Sequence, residues 1–286
     1  TQAQVLWTLR LPRVWMGLLA GGALGLAGGV YQTLFGNPLA SPDLTGVASG
    51  ASLGAACAIV LGAGTSAQIM GGAFLMGMAS LVLVLALVRW AGLERTGTYI
   101  LAGVIISSAA DAGLMVLKTV ADPEGELAAI EFWTMGSLAA MTADKVWPAA
   151  AAILIPALLI FLFRQRLLIL SMGEESARTM GLAPGPWRSL LLGLTTLMVA
   201  AVVSVAGVVA FVGLIAPHIA FLLLGRRGGP YLPLCALVGG DILLAADLLA
   251  RSLAGGGELP LSIWTVCFGV PVLLALLVGQ RGGRDG

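Results

Sequence analysis

Long apolar runs separated by short polar connectors are the main pattern in this sequence of 286 residues. Nine of these runs come near the ~20 residues that an α-helix needs to cross a bilayer. The pattern therefore predicts an all-α integral membrane protein with nine transmembrane helices. The predicted spans are 13–34, 44–62, 67–90, 98–119, 145–163, 187–206, 208–224, 232–250 and 260–279.

The first span carries a regular stripe of glycines, each four residues after the last. Residues four apart lie on one face of a helix, and small residues there let two helix backbones approach closely in lipid. We therefore expect this face to pack tightly against another helix. The stripe consists of Gly17, Gly21, Gly25 and Gly29.

One polar connector, residues 171–182, has helical spacing of its own. Glu174 and Arg178 are four apart and can pair on the solvent side, and Gly181 followed by Pro184 can end the helix. The pattern allows two interpretations: a solvated loop with some helix, which this spacing alone favours, and a short surface helix suited to receive force from a soluble partner. The residues that can share its apolar stripe are Leu170, Met172, Ala177 and Met180.

Composition supports the membrane assignment and excludes several function classes. Hydrophobic residues make up 59% of the chain and charged residues 10%, with a mean hydropathy of +1.01, far above that of soluble proteins. A net charge of +1 argues against a nucleic-acid partner. The sequence has no phosphate-binding loop, zinc-protease motif or serine nucleophile elbow, so we predict no catalytic or metal-binding residue and no cofactor. The three cysteines occur in apolar runs and are expected to be buried: Cys57, Cys235 and Cys267.

The distribution of Lys and Arg predicts the orientation. If the nine spans alternate, ten basic residues lie on one side and five on the other, which makes the first side cytoplasmic. Residue 1 is then outside, and we expect a tenth helix upstream of it. The ten are Arg89, Arg95, Arg164, Arg166, Arg178, Arg188, Arg226, Arg227, Arg281 and Arg284; the five are Arg10, Arg13, Lys118, Lys145 and Arg251.

Two features stand out on the predicted outer side. Arg10, Arg13 and Arg251 could bind carboxylates of an external protein. The alternatives are that they bind lipid phosphates, or that Arg251 pairs with Asp247. The acidic loop 120–144 also contains a short apolar pattern, which predicts a half-helix over about 127–137 that dips back toward the membrane.

A few polar residues within the spans are candidates for chemistry. Asp111 and Asp241 lie inside predicted spans, where a charge costs about 2.5–3.5 kcal/mol or more. A proton relay is one interpretation; we prefer a structural pairing of Asp111 with Lys118, or a protonated carboxyl. The single histidine, His218, follows Pro217, and a hydrogen-bonded residue at a helix kink is favoured over a metal ligand.

A set of short motifs, in this order and spacing, resembles the permease subunits of binding-protein-dependent ABC importers for iron-siderophores, haem and vitamin B12, the iron-chelate permease family. The resemblance covers essentially the whole chain, with Phe221 and Ser262 as two departures from the usual pattern. The motifs are LRLPR (9–13), NPLASP (37–42), LAG (101–103), FWTMGS (132–137), GEESARTMGL (173–182), FVGLIAPH (211–218), ADLLAR (246–251), ELP (258–260) and GVP (269–271).

The resemblance implies a ten-helix bundle like that of the vitamin B12 importer permease, in the cell inner membrane. Its implied partners are a second permease subunit, identical or related, a cytoplasmic ABC ATPase dimer, and a periplasmic or lipid-anchored substrate-binding protein. The implied coupling residues are Gly173, Glu174, Glu175, Ala177, Arg178, Gly181 and Leu182; the docking residues are Arg10, Arg13 and Arg251. The cytoplasmic gate would be Asn37, Leu39, Thr96 and Gly97, and the pathway lining Ser107, Ser108, Phe132, Trp133, Gly136 and Ser137.

The resulting prediction is a transport subunit, not an enzyme, of a type II ABC importer. Ferric siderophores are the favoured cargo because they are the commonest among relatives; haem and cobalamin stay open. The alternative from another class is a proton-coupled secondary transporter that uses Asp111 and Asp241. An intramembrane enzyme built on His218 is the least favoured alternative.

Overall fold

The computed structural model describes residues 2–62, 65–92, 96–253 and 257–282. In these ranges the chain consists of helices joined by short turns, as the sequence predicts. Helices α1 to α7 are Gln2–Val5, Leu11–Leu34, Val47–Val60, Ser66–Ala91, Thr96–Val120, Glu126–Thr134 and Ala143–Leu162. Helices α8 to α13 are Arg164–Ser171, Glu174–Thr179, Pro184–Ala206, Val212–Leu224, Tyr231–Ser252 and Leu261–Gly282.

An apolar helix occupies each of the nine predicted spans within the described residues, but their lengths differ. Six are long and apolar enough to cross a membrane: Leu6–Leu34, Ser66–Ala91, Gly97–Val120, Ala143–Leu162, Pro184–Ala206 and Tyr231–Ser252. Two of the others are shorter, Val47–Val60 and Val212–Leu224, and the third, Leu261–Ala275, is the part of α13 whose side chains the structure describes. The protein is therefore a multi-pass membrane protein, and the count of nine crossings stays a prediction.

Several predicted boundaries were wrong for local reasons. The second span was predicted from residue 44, but Pro42–Thr45 forms a 3₁₀ turn and α3 begins at Val47. The helix predicted from 208 begins only at Val212, because α10 stops at Ala206 and Phe211 takes the left-handed conformation, with φ of +67°. The first helix extends further toward the N-terminus than predicted, through a π-helical turn at Leu6–Arg10.

Helix α2 lies at the centre of the bundle and packs most extensively on α12, with α11, α10 and α7 around it. Its glycine stripe packs closely against another helix, as predicted, and that helix is α12. A Cβ atom at Gly21 would overlap the carbonyl oxygen of Gly239, and one at Gly25 would overlap that of Cys235. Only glycine therefore permits this backbone separation, which brings the two helices into direct contact.

The contacts divide the bundle into two ends. At the first, which we term the coupling end, the C-terminus of α2 and the start of α5 meet α8, α9 and the start of α10 around one groove. At the opposite end, which we term the outer end, α6 meets the starts of α4 and α7 and the end of α10. This arrangement fits the predicted alternation of the spans. Of the basic residues used for orientation, Arg95, Arg284 and the side chain of Arg281 lie outside the described residues.

Candidate coupling, gate and docking sites

The polar connector at the coupling end contains a short helix, α9 (Glu174–Thr179), directly after α8. Gly181, with φ of +78°, ends it in the left-handed conformation that glycine adopts most readily. The amide of Leu182 donates to the carbonyl oxygen of Ala177 at 2.9 Å, and that of Gly181 to Arg178 at 2.9 Å, which is the Schellman pattern. Ala177 and Leu182 are both buried in the core. The helix is therefore anchored to the bundle along one side.

An ion pair ties α9 to the next long helix. Nη1 of Arg188, on α10, donates to Oε1 of Glu174 at 2.9 Å. Arg188 is only 5% exposed, although it is charged. The predicted pair between Glu174 and Arg178 is therefore wrong: Glu174 binds Arg188, and Arg178 is exposed. Sequence reasoning missed Arg188 as a site residue, since a partner 14 positions away gives no helical-spacing signal.

The predicted apolar stripe of this connector is only half correct. Leu170 and Ala177 are buried, whereas Met172 is 63% exposed and Met180 is 58% exposed. Leu170 and Met172 belong to the end of α8, and Gly173, with φ of +100°, interrupts the helix before α9, so the four side chains do not share one helical face. The two methionines consequently form an exposed apolar surface on either side of α9.

The predicted gate residues lie beside this helix. The loop 36–41 follows α2, and Oδ1 of Asn37 accepts a hydrogen bond from the amide of Leu39 at 2.9 Å, which leaves the Leu39 side chain exposed. Gly97 lies at the start of α5 and borders a groove of about 420 Å³ together with Gly36 and Glu174. The structure thus brings loop 36–41, the start of α5 and α9 together; the side chain of Thr96 lies outside the described residues.

At the outer end, Arg13 joins three segments. Its guanidinium binds both carboxylate oxygens of Asp247 on α12, at 2.8 to 3.1 Å, and Glu258 in the loop before α13, at 2.6 and 2.9 Å. The Arg13 side chain is 13% exposed and that of Asp247 is 4% exposed. Arg10 and Arg251 are exposed. The suggested Arg251–Asp247 pair is therefore replaced by Arg13–Asp247.

The predicted half-helix is present as α6 (Glu126–Thr134). Its C-terminal segment is held by backbone bonds, from the amide of Ser137 to Ala206 at 2.8 Å and from the amide of Leu261 to Gly136 at 3.0 Å. Gly136 is buried with φ of +73°, and a Cβ there would overlap the carbonyl oxygen of Val208. A cavity of about 230 Å³ lies beside α6, and its lining includes Phe132, Trp133, Ser137, Lys145 and Ser204.

Comparison with known proteins agrees with this architecture. Residues 1–279 match the family model described as the FecCD transport family. The chain belongs to the FecCD transport family. The resemblance found in the sequence is confirmed, and this FecCD protein is a transport permease, not an enzyme.

Two curated relatives and one solved structure illustrate the similarity. The vitamin B12 import system permease protein BtuC of Klebsiella pneumoniae is 36% identical over 280 residues, covering 97% of this chain and 83% of that protein. The BtuC protein of Salmonella typhimurium is 39% identical over 276 residues, covering 95% and 83%. The solved structure is an inward-facing conformation of a transporter assigned to the metal-chelate ABC type. It superposes on this chain with a TM-score of 0.90 at 34% sequence identity, and the match covers 98% of this chain and 88% of that one.

The remaining predicted pathway residues of this FecCD permease are neighbours in the middle of α5. Ser107 is half-buried and packs next to Gly46, at the end of the 3₁₀ turn, and Ser108 is exposed. They lie away from the cavity that contains Phe132 and Trp133. The structure of this single chain therefore places Phe132, Trp133 and Ser137 at one cavity and leaves the two serines of α5 outside it.

The ionisable residues within the FecCD bundle have distinct surroundings. Asp111 is half-buried, Asp241 is exposed, and His218 is buried directly after Pro217, inside α11. Nζ of Lys118 binds Oε1 of Glu131 on α6 at 2.8 Å. This ion pair replaces the predicted pairing of Lys118 with Asp111 and instead fixes the half-helix to the end of α5.

The departure from the family pattern at Ser262 has a structural consequence. Its hydroxyl donates to the carbonyl oxygen of Val208 at 3.0 Å, and its amide donates to that of Met135 at 3.3 Å. These two bonds join the start of α13 to the extended segment after α10 and to the end of α6. A glycine could make only the second bond.

Proposed function

We propose that this protein is the transmembrane subunit of a binding-protein-dependent type II ABC importer in the cell inner membrane. In this proposal two permease subunits form the pathway, an ABC ATPase dimer binds the coupling end, and a substrate-binding protein docks on the outer end. Membership of the FecCD family supports the transport class. The observation that carries the proposal of an ATPase partner is the geometry of α9.

Helix α9 is built to transmit force. Its inner side is fixed by the buried residues Ala177 and Leu182 and by the Glu174–Arg188 ion pair. Its outer side exposes Met172 and Met180, with Glu175 and Arg178 also exposed. Flexible, polarizable methionines suit contact with a partner protein. A load applied to the exposed side is therefore transferred to α10 and the core.

Docking of the substrate-binding protein is proposed at the outer end. Arg10 and Arg251 are exposed, and their guanidinium groups can bind carboxylates of a partner bidentately. Arg13 was predicted in the same set, but Asp247 and Glu258 already engage it. We propose that Arg10 and Arg251 make the direct contacts. Arg13 instead holds α2, α12 and the loop before α13 together.

The cargo proposed here is a metal chelate. Ferric siderophore, the cargo predicted from the sequence, is the first candidate. Cobalamin is the second, favoured by the names of the BtuC relatives. Both are large, and the cavity beside α6 has a mainly neutral lining, including Phe132, Trp133 and Ser137, which suits a chelate better than a bare cation.

Co-purification tests the ATPase interface. The permease should be co-expressed with its ATPase, and the double substitution Met172→Gln and Met180→Gln should remove the ATPase from the purified complex. Deletion of 174–179 is a poorer test, because it also removes the buried Ala177. Leu61→Gln, at another strongly exposed apolar residue on the outer end, is the matched control. Full retention of the ATPase by the double variant would refute this interface.

Charge reversal tests the docking surface. Arg10→Glu with Arg251→Glu should weaken binding of the substrate-binding protein to the permease complex in proteoliposomes while the ATPase stays bound. Arg89→Glu makes the same charge change at an exposed position on the coupling end and should leave docking unchanged. Unaltered affinity of the double variant would contradict the proposed contacts.

The binding protein also identifies the cargo. Its affinity for a ferric hydroxamate, a ferric catecholate, haem and cobalamin should be measured by titration calorimetry, followed by uptake of the tightest ligand into proteoliposomes. Siderophore selectivity supports the first candidate, and cobalamin selectivity supports the second. Uptake that continues without the ATPase and stops when the proton gradient is removed would favour the secondary transporter instead.

A further inference from the structure

A chain of contacting side chains, buried from Arg188 onward, connects α9 to the segment that follows α2. It begins at the Glu174–Arg188 ion pair, 2.9 Å long. The guanidinium carbon of Arg188 also lies 5.7 Å from the ring centroid of Tyr99, on α5, within the range of a cation–π contact. Arg188 therefore contacts both the connector helix and the helix that begins at the predicted gate turn.

The chain continues through aromatic rings. The ring centroids of Tyr99 and Phe35 are 6.2 Å apart, and those of Phe35 and Tyr31 are 5.7 Å apart, both in tilted arrangements that favour aromatic attraction. The Tyr31 hydroxyl donates to Oγ1 of Thr45 at 3.1 Å, and the Thr45 hydroxyl donates to the carbonyl oxygen of Pro42 at 2.9 Å. Phe35 and Pro42 are the residues on either side of loop 36–41.

These side chains are packed without freedom to absorb a displacement. Tyr31, Phe35, Thr45, Tyr99 and Arg188 are all buried. Close-packed interiors compress little and transmit strain. The groove of about 420 Å³ borders Arg188 and Phe35, the first and third side chains of this series, so both have room to move on one side. A closely packed connection with free space beside it can act as a mechanical link.

We propose that Arg188, Tyr99, Phe35 and Tyr31 form a relay that couples movement of α9 to loop 36–41. The proposal rests on the proposed function and adds the route by which an ATPase would open the gate. The four residues are positioning residues: they contact neither nucleotide nor cargo. When α9 moves, Arg188 carries the start of α5 with it through Tyr99, and Phe35 and the 3₁₀ turn shift the two ends of the loop.

The test uses the full complex of permease, ATPase and binding protein in proteoliposomes. The readout is the amount of cargo transported per ATP hydrolysed. Arg188→Met and Phe35→Leu should each lower this ratio at least about fivefold, as expected when a coupling free energy between sites is lost. The double variant should fall no further than the more severe single variant, because two breaks in one connection are not additive. Arg188→Lys keeps a cation beside Glu174 and Tyr99 and should retain part of the coupling.

Trp187→Leu is the matched control. Trp187 is the neighbour of Arg188, but its ring packs on Phe163 at 5.1 Å and under Arg166 at 5.0 Å, outside the relay. Its loss should leave the transport ratio unchanged. If Trp187→Leu lowers the ratio as much as Arg188→Met, the effect is general to this end of the bundle and the relay is refuted.

A second readout follows the loop itself. In a variant with Cys57, Cys235 and Cys267 replaced by Ala, Leu39→Cys places one thiol on the exposed part of loop 36–41. ATP should change its rate of labelling by an impermeant maleimide several-fold, and adding Arg188→Met should abolish that change. An equal response to ATP with and without Arg188 would overturn the relay.

The outcomes separate the relay from the proposed function. If the unaltered permease retains no ATPase, the proposed function fails, and the relay fails with it. If the complex assembles and transports, but Arg188→Met, Arg188→Lys and Phe35→Leu all keep the full transport ratio, only the relay fails. If Arg188→Met does not fold, Phe35→Leu and Arg188→Lys still decide the outcome.

Discussion

Replacing Gly21 by Ala tests how closely α2 and α12 must approach. The added carbon would lie 2.8 Å from the carbonyl carbon of Gly239 and 2.8 Å from Cβ of Leu243, whereas carbon atoms pack at about 3.5–4.0 Å. Backbone and Cβ atoms cannot rotate away, so the helices must separate by about 1 Å, and a gap of that size forfeits about a quarter to a half of the dispersion energy of the facing atoms. Overpacking of this kind costs about 1–3 kcal/mol.

We expect the upper part of that range because Gly25 and Gly29 face the same helix further along α2 and lose contact as well. The assay is unfolding of the purified permease in mixed micelles with increasing SDS, followed by helical circular dichroism. Gly21→Ala should move the midpoint to a lower SDS fraction.

Gly193→Ala provides a control with the opposite sign. Gly193 lies inside α10, and no atom comes within 4 Å of a Cβ placed there. Alanine should therefore stabilise the helix by about 0.5–1 kcal/mol through its higher helix propensity. The reasoning is refuted if Gly21→Ala unfolds at the same midpoint as the unaltered protein, or if both variants shift in the same direction.

Three further predictions concern the outer end, and each is checked by the same SDS unfolding assay. Arg13→Met leaves Asp247 buried without its partner and should destabilise the fold by about 3–5 kcal/mol; a loss below 1 kcal/mol would contradict the burial of this pair. Lys118→Met breaks a partly exposed pair with Glu131 and should cost at most about 1 kcal/mol, with an effect that shrinks in high salt; a larger, salt-independent loss would be inconsistent with the access of solvent to this pair. Gly136→Ala should also destabilise the fold: alanine in the left-handed conformation costs about 1–2 kcal/mol, and its Cβ would overlap the backbone of Val208. Unchanged stability would show that α6 does not dock as described.

The parts of the fold that the sequence predicted depend on local periodicity. The glycine stripe from Gly17 to Gly29 was interpreted correctly because residues four apart must share a helix face. The end of α9 was predicted because Gly181 has the local conformation that a helix end requires. Long apolar runs likewise located all nine apolar helices in the described residues, although α3 and α11 are shorter than a membrane span requires.

The errors arise where a distant residue decides the outcome. Glu174 was assigned to Arg178 by spacing, but the buried guanidinium of Arg188 provides an interaction less screened by water. Arg13 was predicted to face a partner, whereas Asp247, 234 residues away, holds it within the protein. Phe211 takes the left-handed conformation and its ring lies against Gly269 of α13, 58 residues away, so this feature has no signal in the sequence.

The distribution of burial among the long helices indicates which of them can move during transport. The most apolar windows of Leu6–Leu34 and Pro184–Ala206 are 72% and 67% buried, so α2 and α10 form a fixed core with α12 packed on α2. The corresponding window of Gly97–Val120 is only 22% buried, the smallest share among the six long helices, so much of the surface of α5 can shift without breaking contacts inside this chain. Arg188 extends from the fixed core to Tyr99 at the start of this helix. A small displacement of α9 is therefore passed to the long helix with the smallest buried share, and this favours α5 as the element that moves with loop 36–41.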